Sequence, residues 1–323
     1  MRSVVCEQFG PPSSLKEIDV PTPRPGPRQV LVRVTATGIG FVDGLLIQGL
    51  YQVKPPLPFR PASEYAGVVE TVGAECSRLA VGDRVFGSAS GALSEFVCVD
   101  EASCCSTPEP LTDAQAGGLF INYLTAIYGL RDCGNLQPGE TVLVLGAAGG
   151  VGSAAIAVAR AMGAHVIGAA STEAKRRSAL AAGAHATVDY TAEHWRDDLK
   201  TALAGRPLLM VYDPVGGDAS EPALRSLSPG GRFLVVGFAS GTIAKIPLNL
   251  PLLKRCAIVG VDWGGDARQN PHINGPLAAT LVDWISSGRL TPAPITERPA
   301  AQFVQAFEDQ LAGRVLGKLV LVR

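Results

Sequence analysis

The chain has no block of charge of one sign. Its 28 Lys and Arg stand against 29 Asp and Glu, a formal net charge of −1 over 323 residues. Without a basic run there is no electrostatic footprint for nucleic acid, and no nucleic-acid partner is expected. Long unbroken apolar stretches are also missing. Each is interrupted by glycine or turn residues at strand length, so no membrane span is expected. The start, "MRSVVCEQFGPP", lacks the apolar core of a secretory signal. There is no C-x-x-C pair among seven scattered cysteines, an odd number, which argues against a disulfide framework and for reduced thiols in the cytoplasm. The adjacent Cys104 and Cys105 read as small residues near a strand end. Charged residues make up only 18% of the chain and apolar residues 47%, which excludes disorder and fits an enzyme with well-covered sheets. The length predicts two domains.

What is present falls into two textures. The first third reads as short strands punctuated by Pro and Gly: "QVLVRVTATGIG", "YAGVVETVG", "GDRVFGS" and "SEFVCVD". This spacing predicts a compact, barrel-like β-domain. From Thr112 helical spacing takes over. From Thr141 strands alternate with helices: strands are predicted at 141–145, 165–169, 186–189, 208–213, 232–236 and 257–261. The intervening helices are predicted at 150–162, 173–182, 193–204 and 218–227. Six strands with crossovers make a doubly wound, Rossmann-type parallel sheet in an α/β fold. Two more helices are predicted at 276–287 and 300–311. The final "GKLVLVR" reads as a strand that returns to pair with the first domain.

The chemistry is concentrated in "TVLVLGAAGGVGSAAIAVARAMGAHVIGAAS", residues 141–171. Ala147, Gly149 and Gly152 occupy the three places of a G-x-G-x-x-G turn between a strand and a helix. Gly149 lets backbone approach a pyrophosphate, Gly152 permits close helix–strand packing, and the helix N-terminus offers free N–H groups to phosphate. The second strand ends on Ala169, Ala170 and Ser171, without the carboxylate that accepts bonds from the ribose hydroxyls of NAD. Ser171 and Lys175 instead suit a 2′-phosphate. Glu173 is the counter-indication, and as a first-turn acid it is also explained by the helix dipole. The expected cofactor is NADPH.

These elements together resemble a known family, the medium-chain dehydrogenase/reductases, and in particular their zinc-free quinone oxidoreductase branch. The resemblance spans nearly the whole chain. It rests on "GIGFVDGLLIQGLY", "PASEYAGVVETVG", "GDRVFG", "NYLTAIYGL", "GAAGGVG", "VYDPVGG", "VVGFASG" and "GKLVL". It implies a GroES-like catalytic domain over residues 1–118, an NADPH-binding Rossmann domain over 119–262, and a return to the catalytic domain over 263–323. It implies cofactor contacts from Phe41, Val42, Thr125, Gly149, Gly150, Val151, Gly152, Ser171, Lys175 and Tyr190. Further contacts are implied from Pro214, Val215, Gly237, Phe238, Ala239, Ser240, Trp263, Gly264 and Lys318. Phe41, Asp43, Tyr51, Asn122 and Trp263 are the pocket candidates, with no proton donor assigned among them. A homodimer joined through the sixth strand is expected from the resemblance alone.

The resemblance also bears on metal. Zinc-dependent relatives place Cys and His where this chain has Gly40 and Ser63, neither of which supplies a zinc ligand, and the four-cysteine structural lobe is missing. No metal is expected. Metal-free hydride transfer suits an electron-poor conjugated acceptor, so the expected substrate is a quinone or another α,β-unsaturated carbonyl. The alternatives are an enone, 2-alkenal or enoyl-thioester double-bond reductase and, outside enzymes, an NADPH-binding structural or regulatory protein. Gly40 stands where many relatives have Asn and Leu45 where some have Tyr, which predicts a less polar, roomier pocket.

Overall fold

The computed structural model describes all 323 residues. The chain divides into two compact units: Met1–Ile121 with Ile295–Arg323, and Asn122–Pro294.

The first unit is organised by one long strand, Gln29–Ile39, whose β-branched alternation buries Val30, Val32, Val34 and Ile39. Glu64–Val72 runs antiparallel along one edge. Phe96–Asp100 and Lys318–Val322 share the other edge, pairing with its first and last parts. Register shifts at Leu31/Val32 and Val34/Ala36 let the strand bend enough to serve three partners. The sheet continues through Arg84–Ser88 to Cys105–Ser106 at one side and through Ile295–Pro299 at the other. The core closes with helix Phe303–Leu311, which contributes Ala306 and Phe307. Its Leu311 lies against Gly44 of helix Phe41–Ile47, where a Cβ would come within 2.7 Å of Leu311 Cδ2. The chain's last strand does return to the first domain, with Leu319 opposite Ile39 and Val322 opposite Ala36.

The second unit is a six-stranded parallel sheet in the spatial order Ala186–Val188, His165–Ala169, Thr141–Leu145, Leu208–Asp213, Arg232–Val235, Ala257–Gly260. The order reverses between the first and fourth strands, the switch point at which doubly wound sheets bind ligands. Its strands are apolar on both faces because helices cover both, and Leu143, Leu145, Ile167 and Val211 are fully buried. No helix is long and apolar enough to cross a membrane.

Two features differ from the sequence reading. The helical texture after Thr112 breaks into Asp113–Gly117 and Phe120–Ile127, followed by a wider, π-helical turn at Tyr128–Cys133. Close approach explains the break: a Cβ on Gly117 would sit 3.0 Å from Ala36 Cβ, and one on Gly118 would sit 2.8 Å from Lys318 Cγ. Residues 263–294 also stay with the second unit rather than returning to the first at 263. They are tied there by the Tyr128 hydroxyl donating to Asp266, Arg131 Nη1 to Thr280 Oγ1 at 3.0 Å, Arg289 Nε to the Ala161 carbonyl at 2.8 Å, and the Ala293 N–H to Tyr123 Oη at 2.7 Å. The return to the first unit begins at Ile295.

Candidate active site

In the second unit the ends of the strands gather the predicted nucleotide-binding residues along one edge. Strand Thr141–Leu145 runs into the glycine turn, and Gly149 is the N-cap of helix Gly150–Ala161. A Cβ on Gly152 would stand 2.2 Å from the Gly146 carbonyl oxygen and 3.0 Å from Ala147 Cα, so only glycine lets helix and strand approach this closely. Gly149 has only the Gly146 carbonyl within 4 Å of its Cβ position, which leaves open space over the turn. The sequence reading missed Gly146. It takes φ +58°, and a Cβ there would meet Val215 Cγ2 at 2.7 Å. The signal was a glycine directly after an apolar strand, at the point where the chain must reverse.

At the end of the second strand no carboxylate is present, and the neighbouring charges are already committed. Thr172 caps helix Glu173–Ala181, accepting the Lys175 N–H at 3.2 Å. Arg177 pairs with Glu173 one turn back, which occupies the acid that counted against a phosphate. Arg176 donates to Asp189 at 2.6 Å and to the Ala170 carbonyl at 3.2 Å. Lys175 is the cation of this run that pairs with no carboxylate. Burial raises the Tyr190 phenol, and the Ser171 side chain beside it opposes the shift.

The fourth and fifth strand ends are knitted together. Asp213 is buried and fully used: Oδ1 accepts the Val215 and Gly216 N–H groups at 2.8 and 2.9 Å, and Oδ2 accepts the Ser220 hydroxyl at 2.6 Å. The N–H groups of Gly237, Ala239 and Ser240 reach the carbonyls of Asp213, Pro214 and Val215. Pro214, Val215 and the 237–240 loop thus form one rim, with Phe238 exposed on it. Trp263 begins helix Trp263–Gln269 and donates its indole N–H to Asn274 Oδ1 at 3.0 Å, and Gly264 follows it. Thr125 and the buried Asn122 lie on helix Phe120–Ile127.

The first unit holds the other candidates. Phe41, Val42 and Asp43 open helix Phe41–Ile47, with Val42 exposed, and Tyr51 is half-buried in the loop beyond. Asp43 Oδ2 accepts the Gly40 N–H at 2.7 Å and so caps the helix from its third position. Burial pushes the Asp43 carboxyl up to about 6, and the charge of Lys318 and the Gly40 bond restrain the shift. Lys318 stands in a buried ion pair with Glu64, and the other Glu64 oxygen accepts the Ile121 N–H at 2.7 Å. Partners 254 residues apart give this pair no signal in the sequence beyond an acid and a base in otherwise apolar strands.

Comparison with known proteins agrees with this geometry. Residues 26–126 match the alcohol dehydrogenase GroES-like domain, and residues 150–274 match the zinc-binding dehydrogenase family. The chain is 36% identical over 324 residues to the quinone oxidoreductase-like protein 2 homolog of Nematostella vectensis, covering 99% of this chain and 88% of that protein. Quinone oxidoreductase from Escherichia coli, solved as a complex with NADPH, superposes with a TM-score of 0.88 at 28% identity, covering all of both chains. The CurK enoyl reductase superposes with a TM-score of 0.86 at 25% identity, covering 99% of this chain and 98% of that one. The matched family's name raises the question of zinc, and the donor set here does not fit it. Nowhere do three His, Cys, Asp or Glu side chains gather in a way that would hold a metal ion.

Proposed function

Since the chain belongs to the medium-chain dehydrogenase/reductase family, in its zinc-free quinone oxidoreductase branch, we propose that it is an NADPH-dependent reductase of quinones. The observation that carries this reading is the charge arrangement beyond the second strand: no acid at the tip, Arg176 and Arg177 consumed by Asp189 and Glu173, and Lys175 left for a 2′-phosphate beside Ser171 and Tyr190. When bound, NADPH supplies the hydride. The glycine turn and the N-terminus of helix Gly150–Ala161 hold the pyrophosphate by backbone N–H groups; Gly152 lets helix and turn pack together, and Gly149 leaves open space over the turn. Lys175 and Ser171 hold the 2′-phosphate, and the rim of Pro214, Val215 and residues 237–240 borders the cofactor.

A flat, electron-poor acceptor fits Gly40 and Leu45, neither of which offers an amide or a phenol. Double-bond reduction of an enone or enoyl thioester is the competing reading, supported by the likeness to an enoyl reductase. NADPH oxidation measured in parallel with 1,4-benzoquinone, 9,10-phenanthrenequinone and a 2-alkenal separates the two. Turnover confined to the quinones, unchanged by a chelator, is expected. Turnover confined to the 2-alkenal transfers the assignment to the double-bond reductases. Tight NADPH binding without turnover of any acceptor assigns a binding role instead.

The working form we propose is a cytoplasmic homodimer. The seven cysteines are all free thiols. The edge strand Ala257–Gly260 presents Ile258 to solvent, and exposed Leu248, Leu252 and Leu253 accompany it in sequence, a surface that a second copy of the chain would cover. A monomer in analytical ultracentrifugation at micromolar concentration overturns this part of the reading.

A further inference from the structure

In the first unit, three ionisable side chains lie together under a gap. Asp43, Glu64 and Lys318 are each at least nine-tenths buried. Glu64 is held from two sides, by Lys318 and by the Ile121 N–H, so its orientation is fixed. Room for the pair is made by glycine: a Cβ on Gly38 would stand 3.0 Å from both Glu64 Oε2 and Lys318 Cε. The Lys318 stem runs over Gly118, again with no space for a Cβ. The gap itself is at Gly40, which is half-exposed and has no side chain to fill it. A Cβ placed there would lie 3.8 Å from Lys318 Nζ and 3.2 Å from Asp43 Oδ2. The ammonium spends one of its three N–H bonds on Glu64 and faces the gap at Gly40 with donors to spare. A buried ion pair contributes little net stability over an apolar pair of the same size, so stability alone does not call for a lysine here.

We infer that the Lys318 ammonium, facing the space left open at Gly40, is the electrophile that receives the acceptor's carbonyl oxygen. The inference rests on the reductase reading above. Hydride delivered to a quinone puts a negative charge on oxygen, and a proton drawn from water then completes the hydroxyl. A fixed cation in a water-poor recess stabilises that charge as it develops. Glu64 is a positioning residue that keeps the ammonium in place. Asp43 sets the charge of the recess. The charged groups acting on it are Lys318 and Glu64, and the helix packed on its other side, Phe303–Leu311, meets this turn through the apolar Leu311. With Asp43 ionised, the three groups sum to one negative charge and oppose an oxyanion. With Asp43 protonated they are neutral, so turnover rises as pH falls through about 6.

The test uses the whole protein, with 9,10-phenanthrenequinone as acceptor and NADPH fluorescence as a separate readout of cofactor binding. The paired change Lys318→Met with Glu64→Gln avoids stranding a buried charge. It is expected to lower kcat about 100-fold or more at saturating NADPH. Gly40→Ala adds one methyl between Asp43 and Lys318 at a position with ordinary φ of −106°. It is expected to leave the fold and NADPH binding intact and to lower kcat at least about tenfold. Asp43→Asn keeps the acceptor for the Gly40 N–H and is expected to abolish the acid-side rise, bringing the pH 8 rate up to that of the acid limb. A kcat within threefold of wild type in the folded Lys318/Glu64 pair variant or in Gly40→Ala overturns the inference, as does an unchanged pH profile in Asp43→Asn. A wild-type chain that reduces no acceptor overturns the reductase reading itself, a result distinct from any of these.

Discussion

The proposed nucleotide-binding edge of the second unit and the charged recess of the first are built by opposite means. The edge is made of backbone: a turn of small residues, a helix N-terminus, and strand tips knitted by main-chain hydrogen bonds. Its residues come in short local segments at the strand tips, and its key feature is an absence, the missing carboxylate after Ala170. The recess is made of side chains brought from residues 43, 64 and 318 by sheet pairing, and glycines at 38, 40 and 118 clear its space. A local backbone site tolerates few substitutions at its glycines and many around them. A recess built on a buried ion pair is sensitive at Glu64 and Lys318, because removing either leaves the other unpaired at a cost of about 3–5 kcal/mol.

That contrast is most easily broken at Gly152. Replacement by Val forces a Cβ to within 2.2 Å of a carbonyl oxygen that belongs to backbone and cannot swing away. Gly152→Val is expected to abolish NADPH binding and to lower the melting temperature by several degrees, with about 3 kcal/mol or more of lost stability. Retained binding with a native melting temperature would show that the turn is looser than described. A milder change sharpens the comparison. Thr172→Ala removes the cap of helix Glu173–Ala181 and should cost about 1 kcal/mol by denaturant titration while moving Lys175 only indirectly. An effect on NADPH affinity larger than on stability would mean that the cap positions Lys175 directly.

The smallest expected effect lies at the far end of the same sheet from the cofactor edge. His165 and His185 stack with ring centroids 4.1 Å apart, and burial together with Arg160 and Arg206 lowers both from their ordinary value of 6.5. The unfolded chain therefore takes up protons below about pH 6.5 that the folded chain refuses, and stability falls as pH drops through that region. In an Asp43→Asn background, which removes the opposing proton uptake by that raised carboxyl, urea midpoints at pH 8 and pH 5.5 should differ in that direction, and Arg160→Gln should narrow the difference. Equal midpoints would show that the imidazoles are freely solvated.

Much of the second unit was legible from sequence because its signals are short-range. The six strands fall where apolar runs predict them, to within a residue at each end, since each run is bounded by its own turn. Gly149, Gly152, Ser171 and Lys175 lie on one contiguous motif, and the pairing of Arg177 with Glu173 is an i,i+4 contact visible from spacing. Non-local arrangements were not legible. Residues 263–294 read as part of the return segment because nothing in their composition announces bonds to Tyr123, Tyr128 and Arg131. The break at Gly117 and Gly118 follows from strands packed against it. Lys318 was identified through family likeness as a cofactor contact, and only the structure places it against Glu64, because sequence distance conceals which acid a buried lysine meets.

The central claim is that the charges at the second strand's tip select the phosphorylated cofactor. Fluorescence titration of NADPH and NADH, with wild type and Lys175→Ala side by side, tests it most directly. One charge-assisted bond to phosphate corresponds to about 1.5–3 kcal/mol, or about 10- to 150-fold in affinity. NADPH should bind wild type at least about tenfold tighter than NADH, and Lys175→Ala should remove most of that margin while leaving NADH affinity nearly unchanged. Equal affinities for the two cofactors in wild type, or a parallel loss of both in the variant, would contradict the account.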